Sequence, residues 1–152
     1  VNKSWLFLSC LMSSLAATSR ALTVEVEIPQ INAAEYHRPY VAVWVEDSER
    51  NIVEHLALWL EQEKWHRDLR YWWRRGGKRI ELPIDGVSGA TRKPGKYVLQ
   101  KDIEVKPGQS LIVEAVREVG GRELIKIPLN ESLVAHQGQR ELGLIKVSWE
   151  NR

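Results

Sequence analysis

Short runs of alternating apolar and polar residues, divided by turn residues, limit most strongly what this chain can become. Leu22-Thr23-Val24-Glu25-Val26-Glu27-Ile28 alternates with a period of two, as a strand with one buried face does, and Pro29 ends it. Tyr40-Val41-Ala42-Val43-Trp44-Val45-Glu46 is a second strand by its β-branched and aromatic content. Asp47-Ser48-Glu49-Arg50-Asn51 is a turn cluster, so residues 52–60 return as a hairpin. Residues 80–84 read as a short extended piece. Residues 96–105 follow as a strand with Tyr97, Leu99 and Ile103 inward, then a turn at Pro107-Gly108. Residues 110–119 form a long strand, Gly120-Gly121 a hairpin turn and residues 122–128 its return. A polar connection over residues 130–140 precedes the last strand at 142–149.

One segment changes period. Trp65, Leu69, Trp72 and Trp73 fall at helical spacing, with Arg67, Asp68, Arg70 and Arg74 elsewhere on the wheel, which predicts an amphipathic helix over residues 61–75. Gly76-Gly77 stops it, and Trp65, Leu69 and Trp72 make its core-facing stripe. Strands joined by hairpins, without regular alternation with helices, predict an antiparallel β-sandwich of immunoglobulin or transthyretin-like type with one amphipathic helix.

The first 21 residues differ from the rest. An apolar stretch of roughly a dozen residues is shorter than the ~20 that span a bilayer, and Ser19-Arg20-Ala21 supplies a small-x-small cleavage site. Residues 1–21 are therefore expected to be a secretory signal peptide, leaving residues 22–152 as one exported domain. Without Lys3 and Arg20, 20 basic residues face 20 acidic ones, so bulk charge gives no reason to expect nucleic acid as a partner. Cys10, the single cysteine, leaves with the leader, and thiol chemistry leaves with it.

Candidate chemistry is sparse. His37, His55, His66 and His136 show no metal-binding spacing, and Ser88 lacks the Gly-x-Ser-x-Gly elbow of a serine hydrolase. The Trp-rich helix offers an aromatic platform, with Tyr71 or Trp73 bordering a groove, which keeps open a non-catalytic ligand- or protein-binding module. The other candidate is the small-residue stretch Asp85-Gly86-Val87-Ser88-Gly89-Ala90-Thr91-Arg92-Lys93-Pro94-Gly95. Its glycines permit the backbone angles of a protruding loop, and Gly89 and Ala90 leave the Thr91 hydroxyl without bulky neighbours. Arg92 and Lys93 directly behind suit an anionic group.

Asp85-Gly86-Val87-Ser88-Gly89-Ala90-Thr91 resembles the Asp-x-x-Ser/Thr-Gly-Ala-Thr/Ser motif modified by exported flavin transferases of the ApbE type. The wider chain, through Thr23–Pro29, Tyr40–Asp47, Leu56-Ala57-Leu58-Trp59, Lys64-Trp65, Asp68-Leu69-Arg70, Trp72-Trp73 and Gly89–Gly95, resembles the periplasmic DUF2271 family. The resemblance implies an exported electron-transfer protein, not itself an enzyme, carrying FMN in phosphoester linkage on Thr91. Ser88, Gly89 and Ala90, with Asp85, would be the sequence that the transferase reads. Arg92 and Lys93 are expected to neutralise the phosphate or the reduced flavin, and Tyr71 or Trp73 to stack on the ring. The implied partners are an ApbE-type flavin transferase and a membrane redox protein of PepSY type.

Overall fold

The computed structural model describes residues 21–150; of the expected leader only Ala21 lies within them. The strands form two sheets. β1 (Ala21–Ile28), β5 (Gly95–Asp102), β8 (Leu133–Gln137) and β9 (Leu144–Ser148) make an antiparallel sheet in the order β5-β1-β9-β8. β2 (Tyr40–Glu46), β3 (Ile52–Trp59), β4 (Ser88–Gly89), β6 (Ser110–Val116) and β7 (Arg122–Pro128) make the other, in the order β4-β3-β2-β6-β7. Its pairs are antiparallel except β3 with β4. The fold is a β-sandwich, as the alternation predicts.

Alternation explains the first core. Val24 and Val26 of β1, beside Ile145 and Val147 of β9 in the same sheet, share one core with Val41, Val43 and Val45 of β2 and Leu111 and Val113 of β6 from the other. β2 and β6 also bury their second faces. Tyr40, Ala42, Trp44 and Ile112 form a second core with Leu58, Leu60, Leu69, Trp72 and Val87, so the chain between β3 and β4 makes a third layer outside the five-stranded sheet. Strands covered on both sides read as nearly continuous apolar runs, as residues 40–45 and 111–113 do.

That third layer departs from a single helix over residues 61–75. A 3-10 helix covers Glu63–Asp68, Leu69 takes ψ 74°, and α1 covers only Arg70–Arg75. The break has a tertiary cause. Leu69 offers no side-chain cap, and the carboxylate of Glu114 on β6 instead accepts the N–H groups of Tyr71 at 2.9 Å and Trp72 at 2.7 Å, fixing where α1 begins. Leu69 and Trp72 are fully buried as predicted. Trp65, placed before the break, is 42% exposed with Lys64 over its ring, which corrects its assignment to the core stripe. Gly76 closes α1 through its N–H to the Trp72 carbonyl. Gly77 has a different task, since a Cβ there would lie 2.5 Å from the Trp72 ring.

Three further expectations change. Residues 80–84 join neither sheet. The connection over residues 130–140 contains β8, an edge strand whose side chains are mostly exposed and therefore show no apolar contrast. The strand expected to run to Val119 ends at Val116, and Val119, not a glycine, takes the positive φ of the β6–β7 turn.

Candidate functional site

The stretch 85–95 carries the chain from the edge of one sheet to the edge of the other. It begins with a turn in which Gly86 at φ +68° sits in open space and the Val87 N–H donates to the Ile84 carbonyl at 3.1 Å. Ser88 locks this turn. Its Oγ accepts the Ile84 N–H at 2.8 Å, while its own N–H donates to the Ile84 carbonyl at 2.9 Å. The next carbonyls serve β3, with Leu58 N–H donating to Val87 at 3.1 Å and Leu60 N–H to Gly89 at 3.0 Å. Ser88 and Gly89 are thus a two-residue parallel edge strand rather than part of a free loop.

Residues 90–94 then cross to β5. Ala90 is exposed and Thr91 is buried at 7% exposure. This corrects the expectation of an exposed acceptor: pairing of its predecessors to β3 draws Thr91 against the sandwich. The Thr91 hydroxyl makes no hydrogen bond within residues 21–150. The Arg92 guanidinium lies over the Trp59 ring at 5.2 Å, and Tyr97 meets that ring edge-on at 5.4 Å. Lys93 is exposed, and its carbonyl accepts the Tyr97 hydroxyl at 2.6 Å. Gly95, at φ +155°, opens β5 opposite Ile28.

Asp85, Ser88, Gly89, Ala90, Thr91, Arg92 and Lys93 therefore occupy one continuous crossing. Tyr71 and Trp73 belong elsewhere. Tyr71 stacks on Trp44 at 5.9 Å with its hydroxyl near Glu46, at the other end of β2, and Trp73 packs on His66 at 4.6 Å. Beside the crossing lies instead a groove of about 230 Å³ lined by Leu58, Leu60, Leu82 and Pro83 together with Glu61, Gln62 and Glu63.

Glu46 and Glu114, two of three buried glutamates among the described residues, the third being Glu141, lie within strands and escaped the sequence reading. Glu46 is fully enclosed and accepts Lys126 Nζ at 2.8 Å. Burial pushes the Glu114 carboxyl above its ordinary range, against the pull of the two N–H groups of α1 and of Arg122. The available signal was a lone Glu in each of two runs too apolar to have a solvent face.

No curated protein and no solved structure matches the chain. Among the described residues no helix is long and apolar enough to cross a membrane. A family model described as a predicted periplasmic protein matches residues 21–143, which include both sheets up to β8 and the whole crossing, and the chain belongs to that family, DUF2271.

Proposed function

We propose that this protein is a periplasmic electron carrier whose Thr91 bears FMN through a phosphoester bond. The observation that carries the reading is the placement of Asp85-Gly86-Val87-Ser88-Gly89-Ala90-Thr91: a motif of small residues set on a sheet edge and ending in a hydroxyl with no intramolecular hydrogen-bond partner among the described residues. Thr91 is buried, so such a hydroxyl attacks phosphorus once residues 90–94 lift from the sandwich. In the transfer, the Oγ1–P bond forms as the bond from phosphorus to the leaving group of the donor nucleotide breaks, and the hydroxyl proton passes to the transferase.

The surrounding residues fit such a group. Arg92 and Lys93 supply positive charge next to the attachment point, where a phosphoester is anionic. The Leu58, Leu60, Leu82 and Pro83 walls suit a flat, largely apolar ring better than they suit a phosphate, which Glu61 and Glu63 repel. FMN would supply one- and two-electron chemistry there; the chain's own residues hold it at the surface, open to a flavin transferase first and a membrane redox partner afterwards. The alternative of a binding module built on the Trp-rich segment is weakened because Tyr71 is stacked on Trp44 and Trp73 on His66.

Co-expression with a flavin transferase tests the reading. A covalent, fluorescent band on a denaturing gel that disappears in Thr91→Ala is the expected result. No fluorescent band, or one that survives Thr91→Ala, would overturn it.

A further inference from the structure

At the opposite end of β3 from the crossing, an open groove of about 330 Å³ lies between Asn51–His55 and the chain that follows α1. We propose that this groove binds a small organic oxyanion, a carboxylate or phosphate monoester with a short apolar body. The proposal stands independently of the flavin at Thr91.

Cations face the groove with no countercharge assigned to them. Arg75 and Arg79 both line it, and among the described residues neither is paired with a carboxylate. The acid on the same wall, Glu54, is already held by Lys101 at 3.2 Å. Arg75 is the more telling of the two. Its Nε is enclosed and has no hydrogen-bond partner, whereas buried donors are nearly always matched by an acceptor. Its guanidinium carbon lies 4.8 Å from the centroid of the Tyr71 ring, a cation–π contact that restrains the side chain. Arg79 reaches back to the Arg75 backbone carbonyl at 3.5 Å, which ties its side chain to the end of α1.

His55 adds a donor. Its Nε2 accepts the Trp72 indole N–H at 3.0 Å, so the ring proton resides on Nδ1 and the imidazole is neutral. The remaining lining includes Ile52 and Ile80, an apolar surface for the body of the ligand. A volume near 300 Å³ is the small end of ligand pockets. The simplest reading of an arginine-rich helix is a solvated face, and Arg67, Arg70 and Arg74 meet that description because all three are exposed. Arg75 does not, being half-buried and restrained by Tyr71.

The experiment is an NMR titration of the labelled protein at low ionic strength with inorganic phosphate, phenyl phosphate and benzoate, following the Arg75 Nε–H and the His55 ring. Saturable shifts confined to the groove are expected, with either organic anion binding several-fold tighter than inorganic phosphate; phenyl phosphate against benzoate identifies the preferred headgroup. Arg75→Gln and Arg79→Gln should each weaken binding about tenfold or more, while Arg70→Gln leaves it unchanged. Arg79 is exposed, so its variant carries the test even where Arg75→Gln disturbs packing. Linear shifts spread over the surface and equal in all three variants would overturn the proposal.

Discussion

The Glu114 carboxylate on β6 receives the backbone N–H of Trp72 at 2.7 Å, and by doing so a strand determines where the helix above it starts. The neighbouring N–H of Tyr71 arrives at 2.9 Å. Glu114→Ala leaves both donors without their acceptor under a closed layer, and a loss of about 2–4 kcal/mol is expected in urea unfolding. Glu114→Gln should recover only part of this, since its amide oxygen accepts one of the two N–H groups while its NH2 meets the other donor to donor. A Glu114→Gln variant as stable as wild type would mean that acceptance of both N–H groups does not hold the start of α1.

Glu123 gives an acid-side prediction. Burial alone would raise its carboxyl, but the consecutive N–H groups of Gln139, Arg140, Glu141 and Leu142 more than offset that and hold it below the ordinary range. A carboxyl depressed in the folded state contributes stability above its unfolded value of ~4.3, and that contribution drains away as pH falls through the folded value. Wild-type protein should therefore lose more stability between about pH 5 and 3 than Glu123→Gln does, as chemical denaturation at each pH would show.

His55 acts over a higher window. Burial lowers its folded value, and protonating Nε2 would oppose the Trp72 N–H that now points at it. The stabilising state is the neutral ring, present in full above ~6.5 and lost as pH falls toward the folded value. Trp72→Phe removes the opposing donor. Its stability, lower throughout because a buried indole is truncated, should decline less steeply between about pH 7 and 5 than that of wild type.

The crossing itself predicts a rate. Thr91 is buried, so attack on a flavin donor requires residues 90–94 to lift from the sandwich, against the Tyr97 hydroxyl bound to the Lys93 carbonyl at 2.6 Å. Tyr97→Phe removes that tie, worth about 1 kcal/mol, and should speed flavin attachment by about fivefold with unchanged final occupancy. An unchanged rate would show that the crossing does not gate transfer.

Local patterning made most of the sandwich legible. β1 alternates because one face meets the core, and β2 and β6 read as strands from their β-branched content. β8 was hidden because Leu133-Val134-Ala135-His136-Gln137 lies on an exposed edge, where pairing with β9 selects no polarity pattern. The split of the helix could not be read from residues 61–75, because its cause is Glu114, 42 residues beyond Trp72. The same limit applied to the candidate site. Glycine and alanine content located the crossing, but its clamping to Leu58 and Leu60, which draws Thr91 inward, is a long-range pairing. Tyr71 and Trp73 look free on a helical wheel only while Trp44 and His66 are out of view.

Peptide mapping of the flavinylated protein tests the central claim most directly. Trypsin releases residues 80–92, which contain both hydroxyl candidates of the motif, Ser88 and Thr91. Fragmentation should place one FMN on Thr91 and leave Ser88 free, as its Oγ is already engaged by the Ile84 N–H. An unmodified 80–92 peptide at full yield, or FMN on Ser88, would contradict the account.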